Sequence, residues 1–197
     1  MLTHRHDYIK TLEKQDFTWV GNIKADWPVI DSACEDDAGK HQNFWGYSSI
    51  GNNSYGNSTK EKLDNLKKLG YNPYNTRHWI KSEKDHTDVK WEKEIADKLP
   101  LQLYTTNLIL QPPGNIIPCH KDYFKNFKKK YPSDSNYIIR YIIFTKDWQT
   151  GHLLQAGNSF ITHWKAGDVI TWYPDRLHLS ANVGSENKWT FNVTGIL

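Results

Sequence analysis

The chain has two cysteines, Cys34 and Cys119, and one methionine. Two cysteines do not build the disulfide framework of a small secreted domain. Cys119 reads instead as a small apolar filler facing away from its neighbour His120. Long apolar runs are absent too. No stretch approaches the roughly 20 apolar residues of a membrane span, and the opening Met-Leu-Thr-His-Arg-His lacks the apolar run of a signal peptide. The expectation is a cytoplasmic protein with no membrane partner. Charge of one sign is scarce: 25 Lys and Arg against 22 Asp and Glu leave a net +3. With no broad basic stripe, that balance argues against a nucleic-acid surface. Only 38% of residues are hydrophobic, so the core must lean on 9 Trp, 11 Tyr and 7 Phe. Such a ring-rich core suits strands and clefts better than helical bundles.

A length of 197 residues is that of one domain. Within it, residues 1–100 read as a flanking region of helices and aromatic stretches, and residues 101–197 as a β core. Phe17 to Val20 has strand character, and Glu35 to Gly39 reads as a polar turn. Trp45 and Tyr47 precede a Gly/Asn-rich loop, which forms either a surface cover or a cleft wall. Ser58 and Glu61 match a capping box, and Leu63, Leu66 and Leu69 recur at helical spacing, so a helix is expected over 58–70. A second is expected over 87–99, stopped by Pro100. His78 and Trp79 fall between them.

From Leu101 the texture becomes strands separated by turns, about eight strands with no helices between them. Parallel βαβ units need crossover helices, so this run implies an antiparallel jelly roll. The expected fold class is mainly β with flanking helices, a cupin-like double-stranded β-helix. One interruption stands out. Tyr123 to Asn136 is a basic, aromatic insertion carrying Lys125, Lys128, Lys129 and Lys130 beside Phe124, Phe127 and Tyr131. It reads either as a solvated basic loop or as a mobile lid offering charge and rings to an acidic or peptide-like substrate.

The chemistry centres on Pro118 to Asp122. His120 and Asp122 are two residues apart, hence on one face of an extended strand. His178, 58 residues after His120, is the best third ligand. Two His and one carboxylate with open positions opposite is the arrangement of non-heme Fe(II) oxygenases. His152 and His163 are weaker rivals because neither has a carboxylate two residues away. A chelating acid co-substrate needs a cation at its far end. Lys188 lies ten residues after His178, with Thr190 two further on the same face. Tyr104, Asn107 and Gln111 are candidates to reach the same co-substrate. Arg140 is a charge inside an apolar strand and needs a partner. It either pairs with Asp168 or Asp175, or meets a carboxylate of co-substrate or substrate.

Pro113-Gly114, Pro118, His120, Asp122, His178, Lys188 and Thr190 together resemble the pattern of the 2-oxoglutarate/Fe(II)-dependent dioxygenases. The resemblance covers about residues 101–196. Within that superfamily the chain looks most like the aspartyl/asparaginyl β-hydroxylase and prolyl hydroxylase groups. It has Lys where those groups carry Arg or Lys, it has the Asp that some aspartyl hydroxylase-like members lack, and its 123–136 insertion is long. The resemblance implies Fe(II) at His120, Asp122 and His178, with 2-oxoglutarate held by Lys188 and Thr190 and O2 consumed. It implies hydroxylation of an amino acid or peptidyl side chain. Two further functions compete: a cupin-like isomerase or ligand-binding jelly roll, which has no need of Lys188, and a nucleic-acid demethylase of the same superfamily.

Overall fold

The structure is a computed structural model, and it describes residues 14–40, 46–48, 60–81, 89–132 and 138–197. In chain order its elements are β1 (Thr18–Asn22), α1 (Trp27–Lys40), β2 (Gly46–Ser48), α2 (Lys60–Lys68), β3 (Arg77–Lys81), α3 (Lys90–Ala96), β4 (Leu103–Gln111) and β5 (Asn115–His120). They continue with α4 (Lys125–Lys130), β6 (Ile138–Phe144), β7 (His152–Ala156), β8 (Ser159–Ile161), β9 (Asp168–Thr171), β10 (His178–Asn182) and β11 (Lys188–Ile196).

Strand β11 shows how the layers arise. Its odd positions Trp189, Phe191 and Val193 are apolar, and its even positions Lys188, Thr190, Asn192 and Thr194 are polar, yet all seven are buried. A strand turns successive side chains to opposite faces, so both faces of this one are covered. It pairs antiparallel with β4 over its whole length and with β6 from Thr190 onward. Those pairings centre a seven-stranded sheet of order β1-β9-β6-β11-β4-β3-β2. The odd face packs with Leu108, Leu110, Tyr141 and Ile143 against Trp27, Ile30 and Cys34 of α1 and Ile95 and Ala96 of α3. The even face looks across at a four-stranded sheet of order β5-β10-β7-β8. There Ile142, Phe144, Ile170 and Trp172 meet Leu154, Ala156, Ile161 and Trp164. Two antiparallel sheets closed over one interior form a double-stranded β-helix, with helices covering its outer face.

Several elements depart from the sequence reading. Residues 35–39 belong to helix α1 and form no turn. Trp27, Ile30 and Cys34 recur at helical spacing and bury one face, while the Asp-rich remainder mimics a turn. Pro28 is tolerated because it lies in the first turn. The expected helix over 87–99 is observed over 90–96, and that over 58–70 over 60–68; the capping-box Ser58 lies outside the described residues. His78 and Trp79 sit in strand β3, paired with β4 and β2. Cys119 is exposed, so it fills nothing.

The insertion is also different from a basic lid. It forms helix α4, whose root is buried: Phe124 and Phe127 pack with Ile138. Those two rings face the core and are not offered to a substrate. Residues 133–137 lie outside the described residues.

One turn needs its glycine. Gly167 has φ +87°, and a Cβ there would sit 2.3 Å from the Ile23 carbonyl oxygen and 2.6 Å from Trp27 Nε1. Its absence lets the turn before β9 press onto the β1–α1 connection, where Ile23 N–H donates to the Gly167 carbonyl at 2.8 Å.

His78 is buried, and burial pushes its pKa down to about 4 from an ordinary 6.5. The unfolded chain then takes up a proton that the fold refuses. Stability is therefore full above about pH 6.5 and is lost as the pH falls towards 4, by on the order of 3 kcal/mol. Chemical denaturation across that range should show the loss, and His78→Gln should flatten part of the slope. An unchanged slope would place the acid sensitivity elsewhere.

Candidate metal centre

A bulge sets the site. On β10 the residues from His178 to Ser180 span two steps; on β5 the partners from His120 back to Ile117 span three. The extra residue falls beside Pro118, which has no N–H to give the ladder. It moves His120, instead of Cys119, opposite His178. The two imidazole centroids are 4.2 Å apart. Asp122 follows β5 by two residues and turns back onto them. His120, Asp122 and His178 then present ligand atoms within 4.8 Å of one another.

The hydrogen bonds around this group leave suitable atoms for a metal. His120 Nδ1 lies 2.8 Å from the Pro118 carbonyl, and His178 Nδ1 lies 3.0 Å from the Arg176 carbonyl. A carbonyl only accepts, so each Nδ1 carries the proton and each Nε2 carries the lone pair. Metal-binding histidines are oriented in this way. Asp122 Oδ1 accepts from Arg140 Nη1 at 2.8 Å. Asp122 Oδ2 is buried, accepts no hydrogen bond, and lies 3.7 Å from His178 Nε2. Burial, then the nearby His178, pushes His120 down to about 4, so it is neutral at pH 7. Burial raises the Asp122 carboxyl, but Arg140 and the two histidines outweigh it and hold it below the usual carboxylate range. Two imidazoles oriented through Nδ1 and one carboxylate with an orphaned buried oxygen fit a divalent cation that accepts N and O ligands.

The remaining candidates distribute as follows. Residues directly opposite in an antiparallel pair share a face. By register, Lys188 faces inward with Gln111, Thr190 with Ile109 and Phe144, and Thr194 with Thr105 and Arg140. Lys188 is 1% exposed. Its Nζ donates to the Leu153 carbonyl at 2.6 Å, Ser180 Oγ at 2.5 Å and Gln111 Oε1 at 3.3 Å. Burial lowers it to about 7. Thr190, also buried, is the next inward residue along β11. Gln111 is thus the one of the three β4 candidates that reaches Lys188, whereas the Tyr104 hydroxyl donates to Asp97 at 2.6 Å on the outer face.

Arg140 pairs with neither Asp168 nor Asp175. It points inward, and its ion-pair partner is Asp122. Asp168 accepts from Asn22 and from the Lys165 backbone, and Asp175 accepts from Lys121 at 3.4 Å. His152 is bound to the Glu186 carbonyl, and His163 stacks on Trp148; neither joins the metal-type group. Ser180 was absent from the candidates, because only the strand pairing brings its hydroxyl to Lys188. Its position two residues from His178 is the signal that a same-face search would have found.

No protein-family model matches the sequence, and no curated protein matches it. Solved structures do. A prolyl-4-hydroxylase of Pseudomonas putida aligns over 95% of this chain and 96% of its own, at 12% identity and a TM-score of 0.59. The non-heme α-ketoglutarate-dependent carbocyclase SnoK of nogalamycin biosynthesis aligns over 98% of this chain and 83% of its own, at 10% identity and a TM-score of 0.60. The fold is therefore one shared with a prolyl-4-hydroxylase and a non-heme α-ketoglutarate-dependent carbocyclase, and in this chain it carries a His-Asp-His group at its interior. Among the described residues, no helix is long and apolar enough to cross a membrane.

Mn(II) or Co(II) titration of the wild-type chain should saturate at one ion. His178→Ala and Asp122→Ala should weaken that binding by more than roughly 100-fold, beyond the usual effect of losing an outer-shell partner. His152→Ala should bind as the wild type does. Full binding by His178→Ala would remove the ligand assignment.

Proposed function

We propose that this protein is an Fe(II)- and 2-oxoglutarate-dependent dioxygenase that hydroxylates an amino acid or a peptidyl side chain. The reaction consumes 2-oxoglutarate, O2 and a C–H substrate, and yields succinate, CO2 and the hydroxylated product. One observation carries the reading: a buried lysine held only by neutral acceptors shares the barrel interior with the His-Asp-His group. A buried cation without a counter-charge is costly, and a ligand carboxylate would relieve it.

The spacing suits a five-carbon diacid. Ser180, which touches Lys188, is two residues from His178 on one strand. Two residues of strand are about 6.5 Å, close to the reach between the two ends of 2-oxoglutarate. From the middle of the barrel to the metal end the interior is polar and incompletely satisfied: Asn192 Oδ1, and Thr105 Oγ1 opposite Thr194, are buried without a protein partner. Such atoms suit a ligand or water.

In this reading His120 and His178 hold Fe(II) through Nε2, and Asp122 holds it through Oδ2. Bound iron supplies the redox chemistry that activates O2 at the substrate C–H bond. Lys188 and Thr190 bind the far carboxylate, and Gln111 and Ser180 keep the Lys188 ammonium in place before it arrives. Trp172, 4.7 Å from the His178 ring, and Trp164, 5.8 Å from Lys188 Nζ, wall the interior with apolar surface that excludes water. The substrate class is supported by the lysines that flank Asp122 in the chain, Lys121 and Lys125, which suit a carboxylate-bearing amino acid or peptide.

Iron-dependent succinate release in the presence of 2-oxoglutarate tests the reaction, and a mass gain of one oxygen in a panel of amino acids and peptides tests the substrate. Lys188→Met should weaken 2-oxoglutarate binding by roughly 2–5 kcal/mol while Mn(II) binding stays intact. Because Lys188 loses its charge above about 7, co-substrate affinity should fall as the pH rises through that value. Unchanged 2-oxoglutarate affinity in Lys188→Met would assign the far carboxylate to another residue. A metal-loaded chain that neither binds 2-oxoglutarate nor releases succinate would end the oxygenase reading.

A further inference from the structure

Arg140 is the second inward-facing cation of the barrel, and its contacts are more specific than burial requires. Its Nη1 donates to Asp122 Oδ1 at 2.8 Å, and its Nε donates to Thr194 Oγ1 at 2.9 Å. Its guanidinium lies 5.1 Å from the Phe124 ring centroid. It is therefore held from three sides: by β11, by the chain leaving β5, and by the root of the α4 insertion.

Guanidinium–carboxylate pairs commonly form two parallel hydrogen bonds. Here one oxygen of Asp122 takes the ion pair, and the other is buried with no hydrogen-bond partner. Leaving a buried acceptor unsatisfied incurs its desolvation cost with nothing in return. A pair that existed only to neutralise Arg140 would gain by engaging both oxygens. The orphaned oxygen instead points towards the imidazoles, 3.7 Å from His178 Nε2.

Phe124 adds a second sign of construction. Its φ is +49°, in the left-handed region, where a bulky aromatic residue is strained. That backbone turn lies two residues after Asp122, and it seats the ring on the guanidinium while Phe127 and Ile138 close around it. Ile138 is itself two residues before Arg140 on β6.

We infer that Arg140 is a positioning residue for the metal centre: it holds Asp122 by Oδ1 so that the carboxylate offers Oδ2 alone to the ion. Thr194 and Phe124 fix the guanidinium in that pose. The inference rests on the metal reading of His120, Asp122 and His178. It also removes Arg140 from the cations available to 2-oxoglutarate, leaving that role to Lys188.

The test compares wild type, Arg140→Gln, Arg140→Lys and Thr194→Val as full chains. Mn(II) and Co(II) affinities are measured without co-substrate, 2-oxoglutarate affinity is measured on the metal-loaded chain, and thermal midpoints are taken without metal. Arg140→Gln should lose roughly 10- to 100-fold in metal affinity, the usual effect of removing an outer-shell partner. Arg140→Lys should recover part of it. Thr194→Val, which keeps the Arg140–Asp122 contact, should lose less in the same direction and remains informative if Arg140→Gln does not fold. The Co(II) visible absorption should also change in Arg140→Gln, because a released carboxylate can bind through both oxygens. A lower thermal midpoint with unchanged metal affinity in the folded variants would make Arg140 merely structural and overturn the inference. Unchanged metal affinity with weakened 2-oxoglutarate binding would make it a co-substrate cation and overturn it too. A wild-type chain that binds neither ion would overturn the metal reading, and this inference with it.

Discussion

The alternation of β11 is the constraint on which the rest depends. Nine residues pair with β4 on one side and seven of them pair with β6 on the other, so none of those seven can change face without breaking two ladders. The apolar positions commit one face to the helices. That leaves Lys188, Thr190, Asn192 and Thr194 as an inward polar row. The interior is polar because the outer face needs the apolar residues, and a polar interior in a small barrel is unstable unless its groups are satisfied. Lys188 and Arg140 show the two solutions: the first is surrounded by neutral acceptors, the second is paired with a carboxylate.

Much of this was legible in the chain. The strand pattern after Leu101 has period two and clear turns, so the jelly roll could be expected, and the two-residue spacing of His120 and Asp122 survives in the structure. The losses have physical causes. Helix α1 hides because its buried face is only Trp27, Ile30 and Cys34, too sparse against Asp-rich neighbours to register as a period. Strand β3 hides because its neighbour is β4, some thirty residues away, and local sequence carries no record of that pairing. The Arg140–Asp122 pair hides because Asp122 also reads as a metal ligand, and a carboxylate has two oxygens to give. The aromatic residues of the insertion were read as surface because the lysines around them dominate its composition, yet helical spacing puts Phe124 and Phe127 on one inner face.

The polar interior also divides labour along the barrel. At the level of Arg140 and Thr194 the strands hold the imidazoles and the carboxylate; at the level of Lys188 and Gln111 they hold an ammonium. Between them lie Thr190 and Asn192, and nearby apolar surface comes from Phe144, stacked on Trp164 at 4.1 Å. The Lys188 ammonium and the Asp122 carboxylate are thus kept apart by strand length, not by long side chains. Strand spacing is among the least adjustable dimensions of a folded chain, which makes the separation a stable property of the fold.

The bulge at Pro118 bears on how such a chain can change over generations. Because the extra residue sets which side chain of β5 meets His178, the number of residues between Asn115 and His120 matters more than most of their identities. A single codon gained there, with the bulge still one residue wide, would bring Cys119 opposite His178 and turn His120 to the other face, with the barrel otherwise intact. Point substitutions explore the site gradually; a one-residue insertion would take it apart in one step. A barrel that carries the His-Asp-His group and one that lacks it can therefore be neighbours in sequence space, separated by length at one position and by nothing else in the fold.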